Sequence, residues 1–275
     1  MRLLPLFVAA TALLTAQTPP KFFIQGSDPQ FGMYAKDTNF TQETANFEFF
    51  IASVNRLKPE FVVITGDLTN KAADAGEIAE FHRIARKIDP AIKLYNVPGN
   101  HDVGNEPTPE SLATYRKSWG PDYYTFDCDG IRGIVLNSSL IQHPAKAQAE
   151  ADTQDKWLRD QLAKAKSAGK RSVIFQHIPY FVKSIDEKDA YANIPAENRA
   201  KYVKLLHDYD VRFVFAGHYH RLAEVQDGNL DVVVTGPVGM PIGPDPSGFR
   251  IVMIDTLDHP YVGLGTIPNQ VAAAK

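Results

Sequence analysis

The chain has 275 residues, of which 44% are hydrophobic, and its formal net charge is −3. This length and composition can bury one large core or two small ones. Lysine and arginine form no long basic run, so nothing in the charge pattern supports nucleic-acid binding through phosphate contacts. The single cysteine, Cys128, excludes an internal disulfide.

The first 16 residues have the features of a secretory signal peptide. Arg2 is their only charge, an apolar stretch runs from Leu3 to Leu14, and Leu14-Thr15-Ala16 offers a cleavage site. The apolar stretch is too short to span a bilayer comfortably, so we expect no stable membrane insertion after cleavage. The leader therefore predicts an exported protein, either periplasmic or secreted.

Beyond residue 16, strand-like apolar runs alternate with amphipathic helical patterns. The predicted strands lie near residues 22–26, 61–65, 92–97, 131–136, 172–176, 211–216, 230–235 and 249–255. The predicted helices lie near residues 43–57, 75–88, 109–118, 152–168 and 197–208. The early alternation favours a parallel α/β core, and the strand-rich second half favours a mixed second sheet packed on it. We expect the loops near 29–41, 103–110 and 236–248 to surround a site at the strand ends.

Five short clusters of metal-binding residue types follow one another along the chain, and four of them come directly after an apolar run. The clusters are Asp28-Pro29-Gln30, Gly66-Asp67, Gly99-Asn100-His101-Asp102, His177 and Gly217-His218-Tyr219-His220. Each cluster alone has an ordinary explanation, such as a turn, a helix cap or a buried histidine. Ligands at the ends of neighbouring strands converge in space, however. The five clusters together therefore favour a metal centre.

The donors in these clusters are carboxylates, amides and imidazoles, which suit two divalent metal ions. Two neighbouring cations need a shared anion to offset their repulsion, and Asp67 is the natural bridging ligand. The coordination of one ion would be completed by Asp28, Gln30 and His220. The coordination of the other would be completed by Asn100, His177 and His218. A water or hydroxide that bridges the two ions would then be the nucleophile of a phosphoryl displacement.

The residues next to the proposed ligands allow more than one interpretation. His101 is not needed for either coordination set, so it could protonate the leaving oxygen. Asp102 could hydrogen-bond the His101 ring and fix its tautomer, or it could form a turn or a helix cap. Arg221 could contact phosphate or be a surface arginine. Asp245 and Arg250 could contact the substrate, or they could belong to a rigid connection between strands.

The ordered clusters resemble those of the calcineurin-like metallophosphoesterases. The resemblance covers roughly residues 21–265 and leaves a C-terminal tail at 266–275. It implies a four-layer α/β/β/α sandwich with two mixed sheets, a dinuclear metal site at the strand ends and a phosphate ester substrate. It also supports the ligand assignment and the leaving-group role of His101. The phrases IQGSDPQFG, NVPGNHDVGN and FQHIPYF resemble most the calcineurin-like phosphoesterase domain-containing protein 1 subgroup, whose members are described as serine/threonine-protein phosphatases.

One position departs from the wider superfamily. Its first motif is normally Asp-x-His, whereas Gln30 occupies the third place here. An amide oxygen is a harder and generally weaker donor than imidazole. The first metal position is therefore expected to be looser and to favour Mn²⁺ or iron over Zn²⁺. The subgroup shares this glutamine, so Gln30 does not indicate an inactive enzyme.

These features favour a metal-dependent phosphomonoesterase that uses two ions of manganese, iron or zinc, with phosphoproteins as one candidate substrate class. Export, in contrast, favours small phosphate esters, nucleotides or phospholipid head groups. Two alternatives stay open: a phosphodiesterase that uses the same metals, and a secreted binding protein that has lost turnover. The sequence makes no prediction of the oligomeric state.

Overall fold

The computed structural model describes residues 20–267 of the chain. The predicted leader at residues 1–16 lies outside the described residues, as does the tail from residue 268 onward. None of the helices within 20–267 is long and apolar enough to cross a membrane.

The described chain contains seven α-helices and eleven strands. The strands are β1 (Phe22–Gly26), β2 (Phe61–Ile64), β3 (Lys93–Asn96), β4 (Tyr124–Cys128), β5 (Ile131–Val135), β6 (Arg171–Phe175), β7 (Phe213–Ala216), β8 (Ala223–Asp227), β9 (Leu230–Val234), β10 (Gly248–Met253) and β11 (Tyr261–Gly263). The helices are α1 (Thr41–Leu57), α2 (Ala75–Ala85), α3 (Asn100–Val103), α4 (Pro109–Trp119), α5 (Ser138–Gln142), α6 (Gln148–Ser167) and α7 (Ala196–Asp208).

The strands form two sheets, and each sheet is mixed. The first has the order β11-β10-β1-β2-β3, in which β1, β2 and β3 are parallel and β10 is antiparallel to both of its neighbours. The second has the order β4-β5-β6-β7-β9-β8, with a parallel centre and antiparallel strands at both edges. The predicted parallel core and mixed second sheet are therefore confirmed.

Three apolar clusters hold these sheets in four layers. One packs α1, α2 and α4 on the outer face of the first sheet, and another packs α5, α6 and α7 on the outer face of the second. The third lies between the sheets because alternate residues of a strand face opposite sides. There, Phe23 stacks on Phe61 at 4.6 Å and meets the edge of Phe175 at 5.7 Å between ring centroids. The α/β/β/α sandwich implied by the family resemblance is confirmed.

The structure contains several elements that the sequence patterns did not predict. Strands β4 and β8 are sheet edges whose residues are mostly half-exposed, so their sequences lack a continuous apolar run. Helix α5 is short and buried on every side, which removes the helical periodicity. Helix α3 begins within the Gly99-Asn100 pair, where a plain turn was one possibility.

The carboxyl ends of four strands place the predicted site at one edge of the sandwich. Asp28 and Asp67 follow β1 and β2 in the first sheet, whereas His177 and His218 follow β6 and β7 in the second. A buried polar link joins the two sheets just below them. Gln25 Nε2 donates to Thr65 Oγ1 at 2.9 Å and, across the sheets, to the Ala216 carbonyl oxygen at 3.1 Å.

Candidate metal centre

Two groups of candidate ligands come together at this edge, and both contain Asp67. The ligand atoms of Asp67, His177 and His218 lie within 4.8 Å of one another, and the same holds for Asp28, Asp67 and His220. Asp67 Oδ2 is 3.1 Å from His177 Nε2, and Asp28 Oδ1 is 3.3 Å from His220 Nε2. Each group contains Asp67 and two further residues of one coordination set predicted from the sequence.

The two predicted amide ligands lie next to residues of these groups. Asn100 Oδ1 is 3.0 Å from His177 Nε2. Gln30 is held beside Asp67 by a 2.9 Å backbone hydrogen bond to the Asp67 carbonyl oxygen. Its Oε1 is buried and accepts no hydrogen bond from any residue in the described part of the chain. A buried acceptor of this kind is costly unless a donor or a cation satisfies it, so the site fits a metal ion at this oxygen.

Each histidine of the site has one ring nitrogen at a backbone carbonyl oxygen. A carbonyl oxygen only accepts hydrogen bonds, so that nitrogen carries the proton and the other nitrogen is available to the site. The four pairs are His101 Nδ1 with Asn70 O at 2.6 Å, His177 Nδ1 with Thr65 O at 2.8 Å, His218 Nε2 with Tyr191 O at 2.8 Å and His220 Nδ1 with Met240 O at 2.6 Å. The backbone thus fixes which nitrogen of each ring can bind a metal or transfer a proton.

Five of the seven candidate ligands have positive backbone φ angles, which residues other than glycine rarely adopt. These are Asp28 (47°), Gln30 (40°), Asp67 (48°), His218 (69°) and His220 (53°). Such residues concentrate at functional sites, where surrounding contacts hold them in place. Backbone hydrogen bonds provide some of those contacts here, for example from the Asp28 N–H to the Gly66 carbonyl oxygen at 3.0 Å.

Two glycines of the motifs are required by close approach. A Cβ atom at Gly99 would overlap the backbone and carboxylate of Asp67, and one at Gly217 would overlap Ser27 and the carboxylate of Asp28. Any other residue at these two positions would push a candidate metal ligand out of place.

His101 and Asp102 have different surroundings. The His101 N–H donates to Asp67 Oδ1 at 2.9 Å, which sets the residue beside the bridging carboxylate. Asp102 is buried and accepts hydrogen bonds from the N–H groups of Gly99, Leu68 and Thr69. The predicted hydrogen bond between Asp102 and the His101 ring is wrong, because that ring bonds Asn70 instead. Asp102 caps α3, which was the other interpretation of this residue.

The remaining candidates do not reach the metal groups. Arg250 is buried within β10 and pairs with Glu224 at 2.7 Å, which fits the interpretation of this residue as part of a rigid connection between strands. Asp245 Oδ2 accepts from the Leu222 N–H at 3.0 Å, as expected of a structural connection. Arg221 is exposed, with its guanidinium 5.5 Å from the centre of the Tyr219 ring, and fits the surface interpretation.

Comparison with known proteins decides the family. A model of the calcineurin-like phosphoesterase family matches residues 27–222. The chain belongs to the calcineurin-like phosphoesterase family. It is 38% identical over 270 residues to the serine/threonine-protein phosphatase CPPED1 of Pongo abelii. The alignment covers 91% of this chain and 86% of that protein. Its identity to the Homo sapiens protein of the same name is 36% over 270 residues, with the same coverage.

A solved structure supports the fold of this phosphoesterase. A dimetal phosphatase from Danio rerio superposes with a TM-score of 0.62 at 16% identity, over 86% of this chain and 93% of that chain. The family depends on a dinuclear metal centre, and this chain has the donors for one. The chain is therefore a metallophosphoesterase, although the role of each named residue as a metal ligand stays a prediction.

The buried charges of this phosphoesterase favour a cation at the site. Burial alone would lower the pKa of His177, but the carboxylates of Asp67 and Asp28 raise it to about 9. Burial and the neighbouring His177 lower the pKa of His218 to about 4. Although burial opposes ionisation of Asp67, the nearby His177 holds its pKa below the ordinary value. The two carboxylates thus attract one positive charge from the protein itself, and bound metal ions would replace it.

The structure adds two residues that the sequence analysis did not assign to the site. Tyr191 lies on the loop before α7, with its hydroxyl 2.9 Å from Asn100 Nδ2 and its ring 4.7 Å from the ring of His218. Asn70 follows Asp67 by three residues and bonds both His101 and Gln30. Neither residue type is a typical ligand of these metals, so only the fold shows that they belong here.

We expect metal affinity to rise with pH, because a cation at His177 must displace the proton from Nε2. With a pKa near 9 in the apoprotein, His177 is protonated at pH 7 and releases about one proton on Mn²⁺ binding. Affinity should then increase roughly tenfold per pH unit between about pH 7 and 8.5. Calorimetry in buffers of different ionisation enthalpy measures the released proton directly.

His207 provides a matched control, since this residue of α7 pairs with Asp227 of β8 at 2.8 Å and belongs to neither ligand group. The His207→Asn variant should show the same proton release and the same pH dependence. Metal binding without proton release and with constant affinity over this range would contradict the electrostatic account of His177.

Proposed function

We propose that this chain hydrolyses phosphate monoesters. The observation that carries the proposal is the shared position of Asp67 in two ligand groups, because a two-ion site can bind both oxygens of an in-line phosphoryl displacement. The names of the relatives support phosphoserine and phosphothreonine as one substrate class. The predicted leader instead favours small phosphate esters outside the cytoplasm.

The side chains divide the work of such a reaction. One divalent cation would be held by Asp28, Gln30 and His220. The other would be held by Asn100, His177 and His218, and Asp67 would bind both cations. When bound, the cations supply charge that activates water and neutralises the phosphate. The carboxylate and amide donors, with no thiolate among them, favour manganese or iron. His101 is held with Nδ1 on the Asn70 carbonyl oxygen, so Nε2 is the ring nitrogen that can transfer a proton to the leaving oxygen.

The substrate preference is tested with p-nitrophenyl phosphate and bis-p-nitrophenyl phosphate after Mn²⁺ loading. We expect kcat/KM to be higher for the monoester. The Asp67→Asn variant should lose turnover and bind metal more weakly, because a neutral amide cannot offset the repulsion of two cations. A clear preference for the diester would overturn the monoesterase proposal, and full activity of Asp67→Asn would overturn the site.

The role of His101 is tested by replacing it with alanine. We expect kcat to fall by roughly 10²–10⁴, the usual contribution of a positioned general acid, with metal content unchanged. Its backbone N–H still donates to Asp67, so the coordination groups stay in place. Parallel elemental analysis distinguishes a general acid from a metal ligand, since joint loss of metal and turnover would make His101 a ligand. The exposed His143→Ala variant is the control.

We also propose that residues 1–16 direct export and are removed. The support is the charge of Arg2, the apolar stretch after it and the small residue at position 16. Fractionation of expressing bacteria and amino-terminal sequencing should place a protein that begins near Gln17 outside the cytoplasm. An intact amino terminus in the cytoplasmic fraction would refute the proposal.

A further inference from the structure

Gln30 can bind a metal only if its amide group points the correct way. The carbonyl oxygen of the amide is a ligand, whereas the NH₂ group on the other side would repel a cation. The two ends of the amide have nearly the same shape, so packing alone does not select between them. Something beyond the Gln30 side chain must therefore set its orientation.

Asn70 contacts the NH₂ end of that amide. Gln30 Nε2 donates to Asn70 Oδ1 at 3.0 Å, while Gln30 Oε1 is buried and unpartnered among the described residues. The Asn70 amide has the same ambiguity, however, and a reversed Asn70 would require a reversed Gln30. The orientation of Gln30 therefore depends on what holds the other end of Asn70.

Asp37 holds that end. Asn70 Nδ2 donates to Asp37 Oδ1 at 2.6 Å, and an ionised carboxylate only accepts hydrogen bonds. Reversing Asn70 would place two acceptors against each other. The hydrogen bonds thus fix the direction of each amide, from the Asp37 carboxylate through Asn70 to Gln30, and leave Gln30 Oε1 as the buried end without a protein partner.

The backbone around Asn70 is fixed independently of its side chain. Its N–H donates to the Phe31 carbonyl oxygen at 3.0 Å and to Glu77 Oε2 at 2.9 Å. Its carbonyl oxygen holds His101 Nδ1. The side chain can therefore be shortened while these backbone contacts remain.

We propose that Asn70 and Asp37 are positioning residues that keep Gln30 Oε1 directed at the metal position shared with Asp28 and His220. This arrangement allows a neutral amide to occupy a place where imidazole is usual. The inference rests on the proposed metal centre and is independent of which phosphate ester is hydrolysed.

The test measures Mn²⁺ binding by calorimetry and elemental analysis, without substrate. Asn70→Ala should weaken one of the two binding events by about 10–100-fold, the usual effect of losing a residue that orients a ligand. Asp37→Ala should weaken the same event to a smaller extent, and its exposed position makes misfolding a minor concern. Binding at both positions as in the unaltered protein would overturn the proposal.

The Gln30→His variant separates orientation from a general structural effect. An imidazole needs no amide partner to present its nitrogen, so adding Asn70→Ala in this background should change affinity by no more than about threefold. An equal loss in both backgrounds would refute a role that acts through Gln30. Asn55→Ala is the matched control, because both ends of that half-buried amide are also hydrogen-bonded, to Lys87 and Asp89, away from the site.

These readouts are independent of the enzymatic assignment. Failure of the monoesterase proposal would appear as diester preference or absent turnover in the unaltered protein with two bound ions. Failure of the positioning proposal would appear in metal affinity alone.

Discussion

The architecture depends on the burial of two carboxylates, Asp28 and Asp67, where two sheets meet. An unpaired buried charge costs several kcal/mol, so each carboxylate must face compensating groups. Backbone N–H groups compensate part of the negative charge through hydrogen bonds, from His218 to Asp28 at 3.1 Å and from His101 to Asp67 at 2.9 Å. Imidazole rings compensate a further part of this charge, and divalent cations would complete the compensation. The same charges that would bind the metals therefore determine which side chains can surround them.

The ligand positions also carry a conformational cost. A left-handed backbone at a residue other than glycine costs of order 1–3 kcal/mol, and five candidate ligands adopt it. The core between the sheets offsets this cost, because Phe23, Phe175 and Phe215 pack in the strands that lead into the ligand loops. The loops are thus attached to the closely packed core between the sheets, and this packing helps to hold their strained shape.

The sequence predicted those parts of the site that are local. A strand followed by Asp67, or by His218 with His220, is a short pattern whose chemistry can be recognised without the fold. The outer edge strands β4 and β8 were missed because half-exposed residues leave no apolar run. Asp102 and Arg250 were ambiguous because a charged residue near a motif can serve the site or the backbone. Tyr191 and Asn70 could not be assigned, since their roles depend on contacts made across loops.

Amide and imidazole ligands differ in how the protein controls them. One carbonyl oxygen at the far nitrogen is enough to fix an imidazole, and each histidine here has one. An amide has a donor and an acceptor side by side, so its direction needs a group that can only accept. Asp37 is such a group, and it is exposed rather than buried in the site. The proposed role of Asn70 and Asp37 would therefore let a surface loop affect metal affinity through Gln30, without any change to the candidate ligands themselves.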